Sequence, residues 1–275
     1  MNLRRAALLA LGERDPSAKV AQTRLLAEAA GAHTVDASER LDPPPSLPGR
    51  PERPRLVAAL KVPTRSPFTS AGRAALLHAI THIEFNAINL ALDAVWRYPG
   101  LPDAFYRDWL RVAGEEAHHF DLLRTHLQGC GHDYGDFDAH DGLWTMAERT
   151  AGDVLARIAL VPRTLEARGL DATPPLQAKF AKAGDARAAE ILDVILRDEI
   201  GHVAVGNRWY RWLCARDGHD PERLYPELAR RYHAPRPRGP FNVVARRAAG
   251  FTEPELAGLD SPTTAPTLQD PRRRL

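Results

Sequence analysis

The sequence has very little cysteine and no long apolar run. Its 275 residues include only Cys130 and Cys214, which are too few for a disulfide-stabilised scaffold or for a zinc site made of four thiolates. We therefore expect a reducing, cytoplasmic environment. No stretch approaches the roughly 20 consecutive apolar residues that a membrane-spanning helix needs. The apolar run at residues 6–11 is followed at once by charged residues and is too short for a signal peptide.

An excess of charge of one sign is also missing. The chain has 37 Lys and Arg and 35 Asp and Glu, which gives a formal net charge of +2. Bulk charge therefore favours neither a nucleic-acid-binding protein nor an acidic tail. The arginines at 272–274 are a local exception, which we interpret as a solvated tail, with RNA contact as the alternative.

The alternation of apolar and polar residues that is typical of β-strands is absent as well, so we predict an all-α fold. Four long segments carry apolar stripes at helical spacing, and prolines and glycines mark their ends. We expect these helices to span residues 69/70–98, 103–128, 143–169 and 185–216. Pro162 predicts a kink in the third helix, and a separate short helix is expected after Pro175.

The four helices predict one domain with extensions on both sides. We assign residues 63–218 to the bundle. Residues 1–62 are predicted to form an extension of short helices followed by a proline-rich, extended segment. Residues 219–275 are predicted to wrap the bundle with a proline- and arginine-rich segment that includes a short helix at 243–249, and to end in a disordered tail.

Two Glu-x-x-His pairs, Glu116 with His119 and Glu199 with His202, are the most informative motifs. Residues three apart on a helix lie on the same face, so each pair can bind one metal ion. Either pair alone would be common on a solvated helix. The second pair makes an accidental origin much harder to defend.

A single glutamate precedes each pair on the preceding helix. Glu84 lies 32 residues before Glu116, and Glu166 lies 33 residues before Glu199. An antiparallel bundle would bring four carboxylates and two imidazoles together at mid-core, which is the ligand set of di-iron and di-manganese carboxylate proteins. Such ligands suit iron or manganese. We therefore predict a dinuclear site, with two iron ions first and two manganese ions as the alternative, on Glu84, Glu116, His119, Glu166, Glu199 and His202.

An acidic residue precedes the glutamate of each motif. We predict that Asp198 accepts a hydrogen bond from the outer nitrogen of His119, and that Glu115 does the same for His202. Each carboxylate would then fix the orientation of a ligating imidazole on the opposite helix.

The second helix offers a rival pair, Glu115 with His118. Glu116 continues the apolar stripe of Trp109 and Val112, whereas Glu115 continues a polar one. This difference favours the register in which Glu116 and His119 face the core.

Two arginines, Arg163 and Arg168, flank Glu166. They either pair with buried acids or face a substrate, and both interpretations stay open. Aromatic residues near the predicted centre, among them Trp109 and Tyr210, are interpreted as core packing, with a redox role as the alternative.

The chain resembles the ferritin-like superfamily, and more closely a bacterial family of unknown function within it. The sequence segments that carry the resemblance are Ala159-Leu-Val-Pro-Arg-Thr-Leu-Glu-Ala-Arg-Gly-Leu170, Arg197-Asp-Glu-Ile-Gly-His202 and Pro240-Phe-Asn. The resemblance implies a ferritin-like four-helix bundle with a dinuclear site on the six residues named above. It also implies kinship with di-iron tRNA hydroxylases and rubrerythrin-like peroxidases, although no Cys-x-x-Cys motif of a rubredoxin module is present.

These observations favour a di-iron oxidase or oxygenase that activates dioxygen. Its substrate would be a small molecule or an RNA nucleoside, its electrons would come from an external donor, and it would form a homodimer. The alternatives are a manganese catalase or peroxidase, and an iron-binding ferroxidase without an organic substrate.

Overall fold

A computed structural model describes residues 2–63 and 65–259 of the chain. Regular structure within these ranges is helical, apart from two isolated β-bridges, so the all-α prediction is confirmed. None of the helices found there combines the length and the apolar character that crossing a membrane would require. The predicted tail from residue 260 onward, with its arginines at 272–274, lies outside the described ranges.

Four long helical rods, residues 70–97, 103–129, 154–182 and 186–217, pack together, and short helices cover them. A π-helical segment, Val161–Glu166, joins α6 to α7 without a break. In chain order the α-helices are α1 (Leu3–Gly12), α2 (Pro16–Glu28), α3 (Ser70–Arg97), α4 (Asp103–Gly129), α5 (Gly142–Arg149), α6 (Val154–Leu160), α7 (Ala167–Lys182), α8 (Ala186–Asp217), α9 (Pro221–Arg231), α10 (Val243–Ala248) and α11 (Glu253–Leu259).

Local capping explains why α3, α4 and α8 begin and end close to the predicted residues. The hydroxyl of Thr69 accepts from the backbone N–H of Gly72, and the carboxylate of Asp185 accepts from that of Ala188. Gly131 and Gly218 follow α4 and α8 with positive φ values of 81° and 72°, which suit glycine at a helix end. Signals within a few residues were sufficient for these three helices.

The third rod differs from its prediction. It begins at Val154 and not at residue 143, because residues 142–149 form the separate helix α5 and Asp153 caps a new helix by accepting from the N–H of Ala156. It then runs from α6 through the π-helical segment to α7, so it continues well past Gly169, and the short helix expected after Pro175 is its last part. Pro174 has no N–H for the carbonyl of Leu170, and the side-chain amide of Asn242 donates to that carbonyl instead, at 3.2 Å. A distant side chain thus offsets part of the penalty that Pro174 imposes on the helix. The predicted kink at Pro162 takes the form of the π-helical segment.

The C-terminal extension is more helical than predicted. α9 was expected to be irregular, yet Asp220 accepts from the N–H groups of Glu222 and Arg223, and Pro221 occupies the first helical position. The short helix expected at 243–249 is present as α10. It packs on α7 and α8 through an apolar cluster that includes Ala245 and Phe251.

The N-terminal extension covers the other side of the bundle. α1 packs on α3, and α2 packs on α4. The fully buried ammonium of Lys19 holds this arrangement by donating to the carbonyls of Leu11 and Gly49, at 2.8 and 3.0 Å, and to Oδ1 of Asn89 on α3, at 2.6 Å. Burial lowers the pKa of Lys19 to about 7.

Replacement of Lys19 should therefore weaken the whole fold. In Lys19→Met the carbonyl of Gly49 and the amide oxygen of Asn89 would lose their partner while buried, and we expect a loss of about 2–4 kcal/mol in the free energy of unfolding. Urea unfolding followed by circular dichroism measures this loss. Lys61→Met, at an exposed lysine, is the control; equal stability of the two variants would contradict the role assigned to Lys19.

Candidate metal centre

The six predicted ligands lie on the four rods at a common level of the core. Glu84 belongs to α3, Glu116 and His119 to α4, and Glu199 and His202 to α8. Glu166 is the last residue of the π-helical segment. Five of these residues are buried; Glu166 is half-buried, but its Oε2 atom is inaccessible to solvent.

The carboxylate of Glu116 lies at the centre of the cluster. Its Oε2 is 3.3 Å from Nδ1 of His119, and its Oε1 is 3.0 Å from Nδ1 of His202. Nδ1 of His119 is also 3.4 Å from Oε2 of Glu84, and Nδ1 of His202 is 3.8 Å from Oε2 of Glu199. Glu116 thus presents one oxygen to each half of the cluster, which is the position of a bridging carboxylate.

One potential ligand atom from each of Glu84, Glu116, His119 and Glu199 can be chosen so that all four lie within 4.8 Å of one another. Glu166 and His202 lie outside this tightest set. His202 joins it through its contact with Glu116, and Glu166 lies close enough for its charge to interact with those of Glu199 and Glu116. The structure therefore brings all six residues to one region.

Several atoms of the cluster are buried without a hydrogen-bond partner, although they lie close to one another. Buried polar atoms in proteins are nearly always partnered, so a group of such atoms in one place needs an explanation. A cation on which their lone pairs converge would provide it, and a donor set of oxygens and imidazole nitrogens is of the kind that iron or manganese takes. The unpartnered atoms are Glu84 Oε2, Glu116 Oε1, Glu166 Oε2, Glu199 Oε2 and His202 Nδ1.

The protonation of the metal-free cluster shows the same need for positive charge. Burial raises the pKa of Glu84 to about 8, and burial together with neighbouring carboxylates raises the pKa of Glu166 and Glu199. Burial alone would lower the pKa of His119, but its contacts with Glu116 and Glu84 raise it to about 11. Without metal, protons supply the positive charge that the carboxylates require.

Two carboxylates outside the cluster hold the imidazoles in the predicted crossed pairing. Nε2 of His119 lies 3.2 Å from Oδ2 of Asp198, and Nε2 of His202 lies 2.7 Å from Oε2 of Glu115. An N–H on Nε2 that donates to a carboxylate leaves the lone pair of Nδ1 directed at the cluster. The arrangement therefore selects the tautomer that a metal ion needs.

The register of α4 follows the apolar stripe. Glu116 and His119 are fully buried, whereas Glu115 is partly exposed and His118 is exposed. The rival pair therefore faces away from the cluster.

Close packing between the third rod and α8 sets the position of Glu166. A Cβ atom at Gly206 would lie 2.9 Å from Cβ of Pro162, so only glycine allows α8 to approach the π-helical segment this closely. The hydroxyl of Thr164 donates to the carbonyl of Ala159 at 2.8 Å within the widened turn. Single π-helical turns inside α-helices are frequent at functional sites.

Sequence reasoning missed one buried ionic network near the site. Asp93 on α3 is fully buried, and it accepts from Arg97 one turn later and from Arg157 on α6. The spacing of Asp93 and Arg97 was visible in the sequence, but their burial and the third partner depend on the tertiary packing. Of the two arginines flanking Glu166, Arg163 pairs with the buried acid Glu255, and Arg168 is exposed.

A second group of ligand-type side chains lies at one end of the bundle. It comprises His126, Cys130 and Asp185. Oδ1 of Asp185 already accepts from His126, at 2.8 Å, and from the backbone N–H of Ala188, at 3.0 Å. His126 and Asp185 are thus already bonded to each other, and Asp185 also caps α8. The central cluster is therefore the stronger candidate for a metal site.

A family model described as "Protein of unknown function (DUF455)" matches residues 12–257, which include every residue of the cluster. A relative from Haemophilus influenzae, described as an uncharacterized protein, is 53% identical over 221 residues, which are 78% of this chain and 77% of the relative. No solved structure matches.

The crossed pairing predicts that Asp198 contributes to metal affinity without contacting the metal. In Asp198→Asn the amide is a weaker acceptor for His119, and we expect divalent metal affinity to fall about 10- to 100-fold with the fold intact. Competition with a chelator measures the affinity. Glu190→Gln, which alters an exposed ion pair on the same helix, is the control; if both variants bind like the wild type, the role of Asp198 is wrong.

The pKa values predict that metal binding strengthens as the pH rises. At pH 6 both Glu84, with a pKa of about 8, and His119, with a pKa of about 11, hold protons that a metal ion must displace. Between pH 6 and 8 the apparent affinity should rise by about tenfold per pH unit for each proton released. Calorimetry in buffers of different ionisation enthalpy measures both quantities; a pH-independent affinity without proton release would contradict this.

Proposed function

This chain belongs to the DUF455 family, and we propose that it is a ferritin-like di-iron protein that activates dioxygen and oxidises an organic substrate. The observation that carries the proposal is the convergence of four buried carboxylates and two imidazoles on one region of the core, with unpartnered atoms directed at each other. Ligands of this kind and number are those of dinuclear carboxylate proteins.

The distribution of the ligands over the rods supports a ferritin-like bundle. α3 and the third rod each contribute one glutamate, and α4 and α8 each contribute one Glu-x-x-His pair. The same division between helices is found in ferritin-like di-iron proteins. The crossed contacts of Glu115 and Asp198 join α4 and α8 in a nearly symmetrical way.

A bound pair of iron ions would supply the oxygen and redox chemistry. The residues of this chain would hold and orient the pair: Glu116 would bridge, and Glu84 and Glu166 would each serve one side. Burial of the cluster excludes bulk water, which strengthens every charge interaction within it. Asp198 and Glu115 would keep the imidazole protons on the outer nitrogens.

The extensions favour an enzyme over an iron-storage subunit. α1 and α2 pack on α3 and α4, and α10 packs on α7 and α8, so helices of the same chain occupy outer faces that a closed shell would need for subunit contacts. We propose a cytoplasmic location because the chain has only two cysteines. Its electrons would come from an external donor. Its substrate would be a small molecule or an RNA nucleoside, and the chain would form a homodimer.

Elemental analysis of protein purified without added metal tests the site. We expect about two iron ions per chain in the wild type and in His118→Ala, and a loss of iron in His119→Ala and Glu199→Ala. The histidines are adjacent on α4, but only His119 faces the cluster. Dioxygen consumption by the reduced, iron-loaded protein then tests the reaction.

Each other outcome of this experiment has a definite meaning. Two manganese ions per chain with peroxide disproportionation would replace the proposal by a manganese catalase. Many irons per chain in a large oligomer would replace it by iron storage. Wild-type protein that stays metal-free after anaerobic incubation with ferrous or manganous ions would contradict the dinuclear site itself.

A further inference from the structure

The C-terminal strap, which we define as residues 221–259 and which contains α9, α10 and α11, contacts the third rod on both sides of Glu166. These contacts are made by Arg163, Thr164 and Ala167, which surround Glu166 in the chain. No element of the strap supplies a predicted metal ligand. Its effect on the metal centre would therefore have to pass through the elements that it contacts, which are the third rod and α8, and the contacts on the third rod lie next to Glu166.

Arg163 makes the most extensive of these contacts. Its side chain is only 3% exposed, and its guanidinium forms an ion pair with Glu255 of α11. The guanidinium carbon lies 4.6 Å from the ring centre of Tyr225 on α9 and 5.2 Å from that of Phe251. Nε donates to Oδ1 of Asn207 on α8, at 2.9 Å. One buried cation thus joins the π-helical segment to α8 and to two parts of the strap.

Two further contacts act next to Glu166. The hydroxyls of Thr164 and Tyr225 are hydrogen-bonded at 2.9 Å. On the other side, Arg246 of α10 donates to the carbonyl of Ala167 at 3.3 Å and forms an ion pair with Asp171. The backbone before and after Glu166 is therefore held by three different helices of the strap.

A π-helical turn is rare and occurs mostly as a single turn inside an α-helix, so the contacts around it contribute to its position. Metal ligands have to lie within a few tenths of an ångström of their ideal distances. Glu116 and Glu199 project from regular helices, but the position of Glu166 depends on the widened turn. Release of the strap would leave the packing of Gly206 on Pro162 in place but would remove the contacts that Arg163, Thr164 and Ala167 make with α9, α10 and α11.

We propose that the docked strap positions Glu166 and thereby controls occupancy of the metal position that Glu166 serves. Linkage requires the reverse effect as well: metal bound through Glu166 stabilises the docked strap. The inference rests on the dinuclear site of the proposed function, but it does not depend on the reaction that the site catalyses. Arg163, Tyr225 and Glu255 are positioning residues in this scheme.

Two neighbouring glutamates of α11 provide a matched test. Glu255 pairs with Arg163 and Arg211 and is largely buried, whereas Glu253 forms an exposed ion pair with Arg247. In Glu255→Gln we expect the affinity for the second Mn²⁺ ion to fall at least about tenfold while the first ion binds as in the wild type. Glu253→Gln should bind both ions normally. Anaerobic titration calorimetry, with circular dichroism of the metal-free proteins, measures this.

Limited proteolysis measures the reverse effect. Trypsin can cleave the strap after the exposed residue Arg238. We expect Mn²⁺ to slow this cleavage several-fold in the wild type. In Glu166→Ala the metal should no longer protect the strap, because the connection to the π-helical segment is lost. This readout is independent of catalytic activity.

The outcomes separate this inference from the proposed reaction. Normal binding of two ions by Glu255→Gln, an equal weakening of both ions, or equal protection of the strap in the wild type and Glu166→Ala would overturn the role of the strap. Metal binding without dioxygen consumption would contradict the proposed reaction alone. A wild-type chain that binds no divalent metal ion would contradict both.

Discussion

Four carboxylates that no lysine or arginine neutralises are the constraint on which the rest of this fold depends. Elsewhere in the described chain, buried charges have protein partners: Asp93 pairs with Arg97 and Arg157, Arg163 pairs with Glu255, and the ammonium of Lys19 donates to carbonyl oxygens. Among the described residues, by contrast, the ion-pair contacts of Glu84, Glu116 and Glu199 are with imidazoles, and no lysine or arginine approaches them or Glu166. Since those other buried charges are partnered within the protein, the carboxylate cluster is the region where an external cation would be most strongly stabilised.

The balance of protons in the cluster connects structure with metal binding. Imidazolium groups and protonated carboxyls make the metal-free core tolerable, because each removes negative charge from a region that water cannot reach. A divalent ion satisfies the same oxygens and nitrogens while releasing those protons. Asp198 and Glu115 sit at the rim of the core, where partial exposure lets them remain charged and hold the outer imidazole nitrogens.

Local signals in the sequence were sufficient wherever the controlling contacts are local. Thr69 and Asp185 cap helices that begin next to them, and the apolar stripe selects Glu116 over Glu115. Prediction failed at the third rod, because the carbonyl freed by Pro174 receives its hydrogen bond from Asn242, which is 72 residues away from Leu170. The failure at α9 has another cause. Its capping residues were visible in the sequence, but the many prolines and arginines of the C-terminal extension led to the prediction of an irregular segment.

The candidate site divides in the same way. The spacing of the two Glu-x-x-His pairs was enough to identify four of the six converging residues, and Glu84 was identified by its interval from Glu116. All five lie on regular helices with one buried face. Glu166 was identified by its interval from Glu199, but its placement depends on the π-helical segment, on Gly206 and on Arg163, whose two possible roles the sequence could not separate.

The two halves of the site are therefore supported unequally. The N-terminal extension braces α3 through Lys19 and Asn89, at a helix whose hydrogen-bonding pattern is already regular near Glu84. In the half of the site that contains Glu166, contacts from the strap give the backbone the support that an unbroken α-helix would give it. Because removal of a support matters most where the local backbone is least stable by itself, the half that contains Glu166 is the one whose metal occupancy can respond to the rest of the chain.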